Sequence, residues 1–153
     1  MKLHIGGDHA AFALKTALVD HLRAAGHDVV DHGPLQETPG DDYPRFVIPA
    51  AQAVAAEPGA LGIVLGGSGN GEQIAANKVA GIRAILAHTV ETARLGREHN
   101  DAQVIAIGAR MTPVDLAIEL VDAFVATPFS EVDRHVRRLA QVSAYERDGV
   151  LPD

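Results

Sequence analysis

The residues with the clearest chemical potential lie in one glycine-rich segment, GGSGNGE at 66–72, which follows the apolar run 61–65. Four of its first six residues are glycine, so the backbone can approach a ligand closely. A helix is predicted to begin at the end of this segment, and the first N–H groups of a helix are unpaired donors that favour an anion. Glu72 is therefore either a stabilising residue at a helix start or a reactive carboxylate held beside a bound anion.

The loop differs from the two common nucleotide-binding patterns. It is not followed by the Gly-Lys-Ser/Thr of a Walker A loop, and its glycines are spaced G-x-G-x-G rather than G-x-G-x-x-G. Taken alone, the loop is as consistent with a tight turn as with a phosphate site. Asp8 and His9 follow the first predicted strand, so a doubly wound sheet would bring them beside the loop. The alternative interpretation is a helix-capping Asp with a solvent-facing His.

Two further groups of polar residues permit both a functional and a structural interpretation. His99 and Asn100 fall between a predicted helix and a strand, where a His on the helix dipole and an Asn in a left-handed cap are common. Arg134 and Arg138 lie one helical turn apart, either as a solvated basic face or, with Arg110, as a clamp for phosphate. The eight His residues show no H-x-H or H-E-x-x-H spacing, so we expect neither a metal site nor another cofactor.

These residues need a scaffold that positions them, and the sequence predicts an α/β scaffold. Five β-type runs are found at 3–7, 27–31, 61–66, 82–87 and 104–108. Helical patterns alternate with them at 10–25, 44–57, 72–79 and 89–99, and two more follow at 113–126 and about 130–147. Continuous apolar strands suit a parallel sheet that is covered on both faces. We therefore predict a Rossmann-like, doubly wound sandwich with a five-stranded parallel sheet, whose last helix is free to pack on another subunit.

Composition limits the organisation and the classes of partner. The 153 residues, 47% of them apolar, are sufficient for one domain over 1–153. The chain has no Cys, which excludes disulfides and thiolate catalysis, and it has no signal-like segment or long apolar stretch, so we expect a cytoplasmic protein without membrane contact. A net charge of -7 and an aromatic content of 4% argue against nucleic acid as a partner and favour small ligands.

Together these segments resemble the type B ribose-5-phosphate isomerases, which are related to the galactose-6-phosphate isomerase subunits. The resemblance covers nearly the whole chain and is carried by GGDHAAFALK (6–15), DDYP (41–44), GGSGNGEQIAANK (66–78), REHNDAQVIAIGAR (97–110) and the Arg pair in DRHVRR (133–138). It implies a metal-free homodimer, or a tetramer, that interconverts ribose 5-phosphate and ribulose 5-phosphate through an enediolate.

The resemblance also implies a role for each candidate residue. Many family members have a Cys base at the position of Gly66, but this chain resembles the branch with a Glu base, which aligns with Glu72. His99 and Asp8 would open the sugar ring, with His99 as proton donor to the ring oxygen. The substrate would be bound by the loop and the polar residues around it: Asp8, His9, Gly67, Ser68, Gly69, Asn70, Gly71, Asn100, Arg110, Arg134 and Arg138.

We further expect each of two clefts to be shared between subunits. One subunit would supply Asp8, His9, the loop and the Arg pair, and its partner would supply His99, Asn100 and Arg110. Two other functions remain open on the same fold: isomerisation of hexose 6-phosphates such as allose or galactose 6-phosphate, and non-catalytic binding of a phosphometabolite. Glu72 separates the last of these from the enzymes, because a sensor needs no base on the loop.

Overall fold

Short buried strands alternate with amphipathic helices in the computed structural model, which describes residues 1–152. The strands are β1 (Lys2–Gly7), β2 (Asp28–Asp31), β3 (Leu61–Gly66), β4 (Ala84–Leu86) and β5 (Val104–Gly108). The helices are α1 (Phe12–Ala24), α2 (Pro44–Ala56), α3 (Asn70–Ala76), α4 (Val90–Asn100), α5 (Val114–Ala126) and α6 (Asp133–Asp148). All the predicted strands and helices are present. The predicted domain ends at Asp153, which lies outside the described residues.

The five strands form one parallel sheet in the order β2-β1-β3-β5-β4, which confirms the predicted fold class. The direction of winding reverses between β1 and β3, and in open α/β sheets ligands bind at the carboxyl ends of the strands at such a point. Here the two strands are joined beyond the sheet as well, because the Asp8 N–H donates to the Leu65 carbonyl at 3.2 Å. The segments after β1 and β3 are therefore neighbours.

The core lies on both faces of the sheet because side chains alternate along each strand. On one face, Ile63 and Ile105 pack beneath α1, α4 and α5, and on the other, Val64 and Ala106 pack beneath α2 and α3. Every residue of β3 and β5 is buried. This double burial explains why these strands read as continuous apolar runs, and it holds their carboxyl ends rigidly in place.

Several element boundaries differ from those predicted. Helix α3 begins at Asn70 rather than at position 72, since Gly69 takes a left-handed φ of 83° and caps the helix there. Helix α4 continues through Asn100, and the left-handed residue that ends it is Asp101, with φ of 43°, rather than the Asn. Strand β4 has three residues instead of the six predicted, because it lies at the sheet edge and pairs only with β5.

Helix α6 lies beside the sandwich rather than within its core. The Ser130 N–H before it donates to the Glu98 carbonyl at 3.0 Å, and Glu146 near its end accepts from the Gly81 N–H at 3.0 Å. Large apolar side chains such as Val142 remain exposed on it. Among residues 1–152, none of the helices combines the length and the hydropathy that a membrane crossing requires.

Candidate active site

The glycine loop turns the chain from the carboxyl end of β3 into α3. Glycine is favoured at position 69, because φ is positive and a Cβ there would lie 3.0 Å from the Gly108 backbone nitrogen. The Ser68 hydroxyl oxygen orders the turn by accepting from the backbone N–H of Asn70 at 3.3 Å and from its side-chain amide at 3.2 Å. The loop therefore has a defined shape that places residue 72 in the first turn of the helix.

Glu72 is a buried acid, only 4% exposed, whose carboxylate lies beneath Gly66. A Cβ at Gly66 would overlap this carboxylate, so the Glu side chain fills the space that a side chain at position 66 would need. Burial raises the pKa of Glu72, and the charge of Asp8 raises it further, against the opposing effect of the Glu72 and Gly69 backbone N–H groups. A carboxylate with a raised pKa beside a candidate anion site has the properties of a general base.

Asp8 and His9, directly after β1, meet a third residue, Asp41, from the long loop before α2. The Asp8 carboxylate caps the turn at His9–Ala11 by accepting from the Ala10 N–H at 3.0 Å. His9 donates its backbone N–H to Asp41 Oδ1 at 2.8 Å, and its ring Nδ1 lies 2.9 Å from the same oxygen. These contacts hold the His9 ring beside Asp8 and Asp41, beyond the carboxyl end of β1.

Asp8, His9 and Asp41 also offer ligand atoms that all lie within 4.8 Å of one another. Sequence spacing did not predict this group, because Asp41 is 32 positions from His9 and only the fold brings them together. An imidazole and two carboxylates suit a divalent cation such as Zn²⁺. The residues of this group are therefore the ones that could hold a metal, although the His9 ring already has a protein partner.

Arg110 lies on the glycine loop of its own chain, which contradicts its predicted place on the partner's side of a shared cleft. Its backbone N–H donates to the Gly67 carbonyl at 3.0 Å. Its guanidinium packs over Gly67, where a Cβ would lie 3.2 Å from Arg110 Nη1. The loop therefore has a cation of the same subunit beside it.

A second group of candidate residues forms around the end of α4 and the start of α6. The rings of His99 and His135 lie with their centroids 4.3 Å apart, and His135 Nδ1 is 2.8 Å from the Ser130 hydroxyl. Burial lowers the pKa of His135, and the positive charges of His99, Arg134 and Arg138 lower it further. The Arg pair is thus on the same subunit's side as His99, in contrast to the predicted division.

Within one chain, the two groups lie at opposite ends of the strands. We call the side of the sheet where the strands end the carboxyl edge, and the side where they begin the amino edge. Helix α4 starts after the carboxyl end of β4 and ends at Asn100, whose carbonyl accepts from Nε of Arg83, a residue that precedes β4, at 2.8 Å. Its 11 residues rise about 16 Å. The carboxyl edge holds Asp8, His9, Gly67, Ser68, Gly69, Asn70, Gly71, Glu72 and Arg110, whereas the group at the other edge contains His99, Asn100, Arg134 and Arg138.

Three residues that contact the predicted site were not themselves predicted as site residues. Asp41 holds His9, and the ring of Tyr43 covers Gly71 so closely that a Cβ there would be 2.7 Å from Tyr43 Cζ. The His135 ring packs against the His99 ring. All three lie in segments that carried the resemblance, DDYP and DRHVRR. Those motifs were the available signal, but the contacts depend on loops and helices that are distant in sequence.

Comparison with protein families and curated proteins gives a consistent result. A family model described as Ribose/Galactose Isomerase matches residues 3–142. The chain is 53% identical over 152 residues to Ribose-5-phosphate isomerase B of Mycobacterium tuberculosis, covering 99% of this chain and 94% of the relative. It is 39% identical over 146 residues to Ribose-5-phosphate isomerase B of Escherichia coli, covering 95% and 97% of the two chains.

Solved structures agree with this result. The chain matches the crystal structure of Ribose-5-phosphate Isomerase B from Mycoplasma genitalium with bound ribulose-5-phosphate with a TM-score of 0.92 and 34% identity, over 96% of this chain and 97% of the other. It matches Ribose-5-Phosphate Isomerase B from Clostridium thermocellum with a TM-score of 0.93 and 39% identity, over 98% and 100% of the two chains.

Proposed function

Because the chain belongs to the Ribose/Galactose Isomerase family, we propose that it interconverts D-ribose 5-phosphate and D-ribulose 5-phosphate through an enediolate. The observation that carries the mechanism is the buried Glu72 carboxylate, with its raised pKa, beneath the glycine loop and beside Asp8. The relatives named ribose-5-phosphate isomerase B support the choice of substrate, and the M. genitalium structure binds its ketose form.

In this proposal Glu72 is the base that moves the proton between the two carbons. The carboxylate takes the proton from C2 of the open-chain aldose and returns it to C1, while the hydroxyl proton passes from O2 to O1. One group can serve both carbons because they are adjacent. Negative charge that develops on the enediolate oxygens would be stabilised by backbone N–H groups of the loop 67–71, which are already oriented before the reaction.

Ring opening precedes this step, because sugar phosphates are mostly closed rings. His99 donates a proton to the ring oxygen in the proposed mechanism, and Asp8 accepts the proton of the anomeric hydroxyl. Histidine suits the first task, since its ordinary pKa lies near neutral pH. The buried His135 ring that packs against His99 supports a fixed orientation for this acid.

The phosphate would be bound by cations that converge from two subunits. Arg134 and Arg138 are exposed and one helical turn apart, so both guanidinium groups can reach the same oxyanion. His9 and Arg110 would contact the phosphate from the loop side, and Asn100 would bind the sugar oxygens from the side of the Arg pair. In this proposal Arg110 contributes from the same subunit as the glycine loop, and the Arg pair contributes from the same subunit as His99. The sequence had led us to expect the opposite assignment for both.

We propose a homodimer with shared clefts, because the two groups of one chain lie too far apart to meet on one pentose phosphate. A two-fold axis that brings the carboxyl edge of one subunit to the His99 group of the other creates two identical clefts. Helix α6 is proposed to lie at this interface. Its exposed Val142 and Tyr145, beside a cavity of about 410 Å³ between α6 and the start of β4, support that position. A cytoplasmic location and further assembly to a tetramer stay predictions.

The proposal is tested by comparing rates on ribose 5-phosphate, allose 6-phosphate and galactose 6-phosphate under identical conditions. We expect the highest kcat/KM on the pentose. If a hexose phosphate is turned over faster, the proposed base and the enediolate mechanism still hold, but the proposed substrate is wrong. Binding of all three sugars without formation of a ketose would instead identify a non-catalytic sensor.

A further inference from the structure

We propose that Asp41 is a positioning residue that orients the His9 ring, so that the ring presents Nε2 to the substrate phosphate. This inference rests on the proposed function only in taking His9 as a phosphate ligand. Neither the glycine loop nor the resemblance assigned a role to Asp41 by itself. The side chain comes from the long loop before α2 and reaches the crevice only through the fold.

The geometry fixes His9 at two points through a single oxygen of Asp41. Oδ1 accepts from the backbone N–H at 2.8 Å and lies 2.9 Å from ring Nδ1. Because the backbone anchor sets the start of the side chain and the ring anchor sets its end, the ring has one orientation. Nδ1 is then occupied, and Nε2 is the nitrogen left for a ligand on a ring that is about one third exposed.

The Asp41 carboxylate that holds His9 is itself largely shielded from solvent. The Asp41 side chain is only 9% exposed, its Oδ2 has no hydrogen-bond partner within residues 1–152, and the carboxylate of buried Asp8 belongs to the same 4.8 Å group. Oδ1 of Asp41 is therefore committed to His9 rather than to water. With Nδ1 held in this way, a substrate phosphate meets the ring at Nε2.

Loss of Asp41 should therefore weaken phosphate binding rather than proton transfer. The phosphate contact exists in the ground state and in the transition state, and loss of such uniform binding raises KM while kcat stays nearly constant. We expect Asp41→Ala to raise KM for ribose 5-phosphate roughly tenfold to hundredfold, the effect of losing one charge-assisted hydrogen bond. Asp41→Asn keeps an oxygen acceptor but removes the charge, so its effect should be smaller.

The decisive measurement is a double-mutant cycle, with Asp42→Asn as the matched control. Asp42 is the exposed neighbour in the same loop, and its substitution removes the same charge without touching His9. If Asp41 acts through His9, then Asp41→Ala should change KM by less than about twofold in a His9→Ala background. Binding of inorganic phosphate, measured by calorimetry for every variant, should follow the same pattern independently of turnover.

The outcomes separate this inference from the proposed function. Equal KM values for Asp41→Ala, Asp42→Asn and the wild type, or undiminished effects of Asp41→Ala when His9 is absent, would overturn the positioning role while isomerisation stands. If the wild type fails to isomerise the pentose phosphate, the proposed function fails, and the phosphate calorimetry still decides the coupling. If Asp41→Ala does not fold, Asp41→Leu, which has a side chain of similar length without a hydrogen-bond acceptor, gives the same test in the presence and absence of His9.

Discussion

Two inactive variants, Glu72→Gln and His99→Asn, are expected to restore activity to each other when their subunits are mixed. The reason is the separation of these residues within one chain. Helix α4 carries His99 about 14 Å along the helix axis, from the carboxyl edge toward the amino edge of the sheet. Glu72, in contrast, stays at the carboxyl edge in the first turn of α3. A complete cleft then requires Glu72 from one subunit and His99 from its partner.

The size of the recovery follows from counting clefts. Each variant homodimer has the same lesion in both clefts and should lose most of its activity, with general acid or base groups contributing about two to four decades of rate. A mixed dimer collects both lesions in one cleft and leaves the other intact. Random exchange makes about half of the dimers mixed, each with one of two clefts working, so activity should approach roughly a quarter of the wild-type value.

The assay co-refolds the two variants in equal amounts and follows ketose formation from ribose 5-phosphate. Matched controls use pairs whose residues lie on the same side of the cleft. At substrate concentrations well below KM, Glu72→Gln with Asp8→Asn should give no activity above that of the two variants alone, and neither should His99→Asn with Arg138→Ala, because every mixed dimer then has a lesion in each cleft. If mixed dimers form but the first pair stays inactive, or if a control pair recovers, the division of the site between subunits is wrong.

Four further predictions follow from the site. Glu72→Gln should lower kcat by roughly two to four decades while substrate still binds; near-normal turnover would remove Glu72 as the base. The base must be ionised, so kcat/KM should fall as the pH decreases through the raised pKa of Glu72, at a pH above the ordinary value of 4.5. Asp8→Asn should move this acidic limb of the pH profile to lower pH, because the Asp8 charge contributes to the raised pKa. An acidic limb that does not move would show that the Asp8 charge has no influence. Activity should survive extensive dialysis against EDTA; recovery only on adding a metal would assign the group of Asp8, His9 and Asp41 as a metal site. Arg134→Ala and Arg138→Ala should raise KM for ribose 5-phosphate far more than for unphosphorylated ribose, whereas equal effects on both sugars would identify the pair as a solvated face.

The local features of this protein could be predicted because they depend on neighbours along the chain. The apolar runs at 61–66 and 104–108 specify buried parallel strands, since only strands covered on both faces are apolar throughout. The glycine spacing specifies a loop at a helix start, and Glu72, at the end of that loop, lies in the first turn of α3 as expected. Helix ends were less accurate, because Gly69 and Asp101 cap their helices through backbone angles that depend on local packing.

The composition of the site was decided by the tertiary structure. Asp41 meets His9 across 32 positions, and the Glu72 carboxylate fills the space under Gly66; neither contact leaves a spacing signal. The resemblance placed Arg110 on the partner's side of the cleft, whereas Arg110 contacts the glycine loop of its own chain. A motif records which residues occur together and not which end of the strands each one occupies. Strand direction settles that point: residues that follow a parallel strand lie at its carboxyl edge, and residues that end the helix returning from it lie at the other.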